Sequence, residues 1–248
     1  MSFDSSRRRA GILLLACLWA TPLLAFDHTF ADYDSVLTKY VANGRVDYAG
    51  LRADRATLDR FLDQCAAVTF DEYQSFLKEQ QLAFMINLYN ASVLAFVCDH
   101  PRMKSVDEFK GIFHDVWSEK FVRLFDHTVS LGQVLHDILR PEFKDTRIHF
   151  ALVTACKGDP ELLNTPYRAE ILLTQLDQQM DRFMLERPDA NRFENGTLYL
   201  SPIFKWYAVD FGKRADLIRF AARYFPQVGE QTPVQYTEFD WMLNQREN

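Results

Sequence analysis

Residues Gln81–Cys98 read QLAFMINLYNASVLAFVC, eighteen positions without a charge. Nearly every face of a helix drawn through them is apolar, so the stretch predicts a central buried helix around which the other elements pack. Two amides interrupt it, Asn87 and Asn90, which lie three apart and share a face. A buried amide without partners costs about 1–3 kcal/mol, so both must be hydrogen-bonded. They either tie neighbouring loops to the core or line a site.

On its N-terminal side the pattern predicts a helix over 32–41, an extended Arg45–Tyr48 after the Asn43-Gly44 turn, and an amphipathic helix over 51–66. Leu58, Phe61, Leu62 and Cys65 share the apolar face of that helix. Thr69 and Glu72 have the spacing of a capping box opening a third helix, and Ser105 with Glu108 repeats it. Further on, Lys120–Phe125 reads as a strand turning at Asp126-His127 toward Thr128-Val129. Ser130 and Gln133 cap a helix expected to end before Pro141. The β-branched and aromatic run Arg147–Thr154 predicts a core strand, followed by a polar turn from Cys156 to Pro160. A long helix is expected over 167–186, then a hairpin across Asn195-Gly196, then a helix opened by Ser201-Pro202. Helices outnumber strands and do not alternate with them, which predicts an α+β class: mostly helical, with a small mixed or antiparallel sheet around the buried central helix.

The chain begins with Arg7, Arg8 and Arg9 and an apolar run from Ala10 to Ala25. This is the pattern of a signal peptide over 1–25, shorter than the about 20 apolar residues that span a bilayer. It implies a periplasmic or secreted protein with no membrane span after cleavage. Cys17 sits in a loose lipoprotein-type box, but apolar Leu18-Trp19-Ala20 follows where a polar tether is expected. The remaining 26–248 reads as a single α+β domain, lacking any Pro-, Gly- or Ser-rich linker. Removing the leader takes the net charge from −6 to −8, which disfavours nucleic acid as a partner. Cys65, Cys98 and Cys156 are then an odd number without CxxC spacing, so at least one thiol is unpaired and no zinc site is indicated.

Two further places carry candidate chemistry. His149 and Cys156 are a possible base and nucleophile, although seven residues apart on a strand they would face opposite sides. Lys205, Tyr207 and Asp210 stand among Phe204, Trp206 and Phe211, where an anchoring helix is the simpler expectation. Five of the six histidines adjoin an aspartate, His114-Asp115 among them, but sequence neighbours diverge, so metal sites do not follow. Asn195-Gly196-Thr197 matches a glycosylation acceptor, though the hairpin turn explains it better.

Together, Phe84–Ala91, Arg147–Val153 with Lys157-Gly158, and Leu200–Tyr207 with Asp210-Phe211 resemble the domain of unknown function 547 family, found in bacteria and plants. The resemblance covers about residues 80–212, and exported bacterial members look similar overall. It implies no established activity and no known cofactor. Relatives commonly carry cysteine at the positions of Thr154 and Asp159; Cys156 occupies neither.

The expected function is that of a non-catalytic periplasmic binding or assembly protein for a small molecule, peptide or protein, with Asn87, Asn90, Lys205, Tyr207 and Asp210 lining the site. The alternative is a cysteine-dependent hydrolase or acyl transferase of papain-like or transglutaminase-like layout, with Cys156 as nucleophile and His149 as base. In it Asn87 or Asn90 orients the imidazole or helps hold the oxyanion. The leader predicts that N-terminal sequencing of protein recovered from a periplasmic fraction starts at Phe26; recovery of an intact N-terminus in the cytoplasm contradicts it.

Overall fold

The computed structural model describes residues 25–109 and 117–246. The leader expected before Ala25, Cys17 within it and the His114-Asp115 pair lie outside the described residues. The central stretch forms a helix, and its neighbours are α1 Ala31–Tyr40, β1 Val41–Ala42, β2 Arg45–Val46, α2 Tyr48–Ala53, α3 Ala56–Ala67, α4 Phe70–Ser75 and α5 Lys78–Asp99. Then come β3 Lys120–Leu124, β4 His127–Ser130, α6 Leu131–Gln133, α7 Arg140–Phe143, α8 Leu172–Leu185, β5 Arg192–Glu194 and β6 Thr197–Leu200. Short helices α9 Ile203–Trp206 and α10 Ala208–Phe211, helix α11 Arg214–Ala222 and β7 Val234–Tyr236 complete the order. The class is α+β and mostly helical, with three small separate sheets in place of one.

Helix α5 is the expected central element, buried at every position from Gln81 to Cys98. It is long and apolar enough to cross a membrane by composition, yet here its apolar stretch is buried within the protein. Helices α2 and α3, strand β3 and the segment ahead of α8 pack against it. A second apolar cluster joins Phe150, the Met180-Phe183-Met184 face of α8, β6 and α11. The hairpin expected across Asn195-Gly196 forms, and the Asn43-Gly44 turn closes a second, short one: Asn43, Gly44, Asn195 and Gly196 all have positive φ, as the tight two-residue turn requires. Strand β7 pairs with β6 in parallel and makes the third sheet mixed.

Several elements differ from the sequence pattern, each for a local reason. The helix over 51–66 is two helices, because Asp47 accepts the Gly50 N–H and starts α2 early, while the backbone turns at Asp54. Thr69 accepts from Glu72 N–H, so half of the proposed box is made. At Ser105 the box is absent: the hydroxyl bonds Asp107 and the Trp241 carbonyl, and a single 3-10 turn follows. The Ser130–Gln133 box is reciprocal. The helix it opens runs through Pro141, with a wide π turn over Val134–Leu139 ahead of the proline. That turn directs Arg140 N–H to the Leu135 carbonyl, five residues back, and Pro141, with no N–H to place, follows it. The helix expected from Tyr167 begins instead with a 3-10 turn at Ala169.

The largest correction concerns Arg147–Thr154, which is no strand. Thr146–Phe150 is a 3-10 turn capped by Asp145, which accepts the Arg147 N–H and pairs with its guanidinium. The chain then runs irregular and largely buried from Ala151 to Pro160 and on to Tyr167, and its buried backbone groups must find partners. Asn90 supplies two: its Nδ2 donates to Ala151 O at 2.9 Å and its Oδ1 accepts from Val153 N at 3.0 Å. This is the pairing a neighbouring strand would have made, delivered by a helix side chain. Asn87 does the same for Tyr167, with bonds of 2.8 and 2.9 Å. Residues Asp240–Arg246 then cross the outer side of this segment, Lys157 and Gly158 donating to the Met242 and Asp240 carbonyls. A side chain on Gly158 would meet Asp240 N and the Phe239 ring at 2.9 Å, which explains the glycine.

Replacing Asn90 by alanine leaves a buried carbonyl and a buried N–H unpaired, at about 1–3 kcal/mol each. The expected loss is about 2–5 kcal/mol, read as a lower urea midpoint with unchanged m. A loss under about 1 kcal/mol would show that the paired amide is dispensable.

Candidate functional site

The irregular segment carries His149, Leu152, Thr154 and Asp159 to one cavity of about 460 Å³. The π turn brings Leu135 and His136 to it, α5 brings Tyr89, and α9 with its C-terminal residue brings Ile203, Trp206 and Tyr207. Trp117, Phe239 and Trp241 add an aromatic wall in which ring centroids stand 4.5–6.4 Å apart: Phe239–Trp241 4.5 Å, Trp206–Phe239 5.0 Å, Trp206–Trp241 5.5 Å and Trp117–Trp241 6.4 Å. The wall is not sealed, since Trp206 is 46% exposed.

His149 is held by a carboxylate and a stacked ring. Its Nε2 lies 2.7 Å from Asp210 Oδ2, and its ring stacks on Tyr207 at 4.0 Å and 16°. Arg140 grips the same carboxylate with Nε and Nη2 at 2.6 and 2.7 Å. Burial alone would raise the Asp210 pKa, but the bonds from Arg140 and His149 outweigh it and hold the group below the usual carboxylate range. Asp210 is therefore ionised, which assigns the proton to Nε2 and leaves Nδ1 as an acceptor. Burial outweighs the aspartate at the imidazole itself, whose pKa is pushed down to about 4. Arg140 Nη1 also lies 2.7 Å from His136 Nδ1; a guanidinium can only donate, so His136 Nδ1 is the acceptor.

Asp159 is the carboxylate among the described residues that line the cavity, 6% exposed. It caps no following helix; it ties the turn before it. Oδ2 accepts from Thr154 N at 2.6 Å and Cys156 N at 2.8 Å, and the Thr154 hydroxyl is 3.0 Å from both carboxylate oxygens. Burial raises its pKa to about 6 against these bonds. Burial likewise pushes the Tyr207 phenol up to about 12, so it stays a donor.

The candidate residues thus fall into three groups. His149, Tyr207 and Asp210 come together, through the stacking and hydrogen bond above, with His149 and Tyr207 on the cavity wall. Asn87 and Asn90 hold backbone, and neither lines the cavity. Lys205 is exposed, its ammonium 6.0 Å over the Tyr236 ring. Cys156 is 2% exposed; its sulfur stands 3.4 Å from the Thr154 hydroxyl and 3.8 Å from the Thr154 carbonyl, and it borders a different cleft, with Arg45 and Arg187. Cys65 and Cys98 are both buried free thiols. Arg140, Asp159 and the Phe239/Trp241 pair were missing from the candidate set. Only the aromatic pair had a signal, two large rings in a polar tail without helical period.

Residues 73–184 match the family described as Protein of unknown function, DUF547. No curated protein and no solved structure matches the chain.

The two perturbed groups oppose each other in their effect on stability. Between pH 6.5 and 4 the unfolded chain protonates His149 and the folded one does not, so this contribution is complete above 6.5 and lost as pH falls toward 4. Between pH 3.8 and 6 the folded chain keeps a proton on Asp159 that the unfolded one releases, so this contribution is complete below 3.8 and lost as pH rises through 6. The stability gap between wild type and His149→Gln should shrink by on the order of 2–3 kcal/mol from pH 7 to 4, and the gap to Asp159→Asn should shrink by a similar amount in the opposite direction. Urea titrations at half-unit intervals read both; parallel curves would overturn the assignment.

Proposed function

We propose that this chain, whose residues 73–184 belong to the DUF547 family, is an exported non-catalytic binding protein that holds a small molecule in the aromatic-walled cavity. The observation that carries the reading is the cavity itself. Its volume, about 460 Å³, is that of a small-molecule site, and a mainly apolar and aromatic lining is combined with a few fixed polar groups. Those groups are oriented before any ligand arrives, His149 by Asp210 and Tyr207, Asp159 by two backbone N–H groups. Preorganisation of this kind lowers the ordering cost of binding.

A cysteine-dependent hydrolase or acyl transferase requires a thiol beside its base. The Cys156 sulfur meets the Thr154 hydroxyl and carbonyl and borders a different cleft from the cavity that His149 lines, which favours the binding reading. Export rests on the leader alone and keeps the test given above.

The neutral fluorophore N-phenyl-1-naphthylamine is small enough for the cavity and brightens in apolar surroundings. Titrated with folded mature protein, it should show saturable enhancement at one site, weakened at least fivefold by Trp206→Ala. That ring is half exposed, so its removal should leave the urea midpoint within about 1 kcal/mol of wild type. Absence of enhancement, or an affinity indifferent to Trp206, would remove the cavity as a binding site.

A further inference from the structure

Asp159 is an unusual group to find in such a wall. A buried carboxylate is costly unless paired, and the ordinary partner is a cation. Among the described residues Asp159 forms no ion pair. Arg187 comes nearest in effect, but its guanidinium donates to the Asp159 and Lys157 backbone carbonyls and pairs with Asp189. His149 is neutral for the reasons given above, His136 is taken up by Arg140, and Arg140 is itself bound by Asp210 through Nε and Nη2. Among the described residues lining the cavity there is no lysine and no arginine.

Among the described residues that line it, the cavity therefore holds one carboxylate and no cationic side chain to match it. Oδ2 of Asp159 is saturated by two backbone donors and shares the Thr154 hydroxyl; Oδ1 has only that hydroxyl and keeps acceptor capacity. The same cavity is lined by Trp117, Trp206, Trp241 and Tyr207, ring systems whose π faces attract cations. An anion would add a second negative charge in a poorly solvated space. A neutral ring would fill the volume but leave the carboxylate without a counter-charge.

We infer that the occupant is an organic cation, an alkyl- or quaternary ammonium group set between the Asp159 carboxylate and the tryptophan rings of the cavity. This rests on the cavity being the binding site. The carboxylate supplies the counter-charge and the indoles replace the hydration of the ammonium substituents. His149 Nδ1 and the Tyr89 and Tyr207 hydroxyls are left for polar groups elsewhere on the molecule.

Three probes of nearly one shape and different charge test it: choline, 3,3-dimethylbutan-1-ol and 3,3-dimethylbutanoate, each used to displace N-phenyl-1-naphthylamine from the mature protein. Choline should displace it at a concentration at least tenfold lower than the alcohol, and the butanoate should be weakest. Asp159→Asn should bring choline to the level of the alcohol while fluorophore binding persists, which also reports that the variant is folded. Trp206→Leu keeps an apolar surface without the π face, and should weaken choline severalfold and the alcohol little. Equal displacement by choline and alcohol, or choline binding indifferent to Trp206→Leu, would overturn the cation while leaving the cavity as a site. Loss of fluorophore binding by the wild-type protein would overturn the site itself.

Discussion

The structure depends on a pair of amides in an apolar helix. Asn87 and Asn90 each present one donor and one acceptor to a backbone that has no strand beside it, and so fix a buried irregular segment at both of its ends. Such a segment is otherwise forbidden, because each unpaired N–H or C=O in the interior costs as much as a lost hydrogen bond. The same device recurs. Gln175 pairs with Pro166 O and Arg168 N, Asn191 with Phe183 O and Ser201 N, and Asn244 with the Gly44 carbonyl and the Tyr48 hydroxyl. Side-chain amides do here what sheet ladders do in most folds.

What this construction gives in return is freedom to aim side chains. A regular strand alternates its residues between two faces, whereas the turn and coil from His149 to Asp159 bring His149, Leu152, Thr154 and Asp159 to the same cavity. The other contributors are irregular too: the π turn that carries His136, and the break at Tyr207 between two one-turn helices. The π turn and the break at Tyr207 fall where the wall is built, while the two Asn-Gly hairpins and α5 stay regular.

The electrostatics follow from this burial. Asp210 stays charged because Arg140 and His149 surround it; His149 stays neutral because burial outweighs its aspartate; Asp159 is raised because backbone donors do not replace water in full. One buried group is thus fully neutralised and the other is not, and the difference sets the chemistry of what the cavity can accept.

The sequence by itself determined the class, the central helix and the Asn-Gly turns, because hydrophobic period and turn chemistry are local properties. It also singled out Asn87, Asn90, His149, Tyr207 and Asp210 as unusual, and the family resemblance agreed with the match over residues 73–184. It could not tell that Arg147–Thr154 lacks a strand neighbour, since a β-branched run reads the same whether a sheet or an asparagine satisfies it. The cavity lay further out of reach. Described residues from seven separate segments line it, from Tyr89 to Trp241, and its charge balance depends on which arginine meets which carboxylate. Those pairings are decided by how α5, the irregular segment and the C-terminal tail pack together, and no local pattern in the chain encodes them.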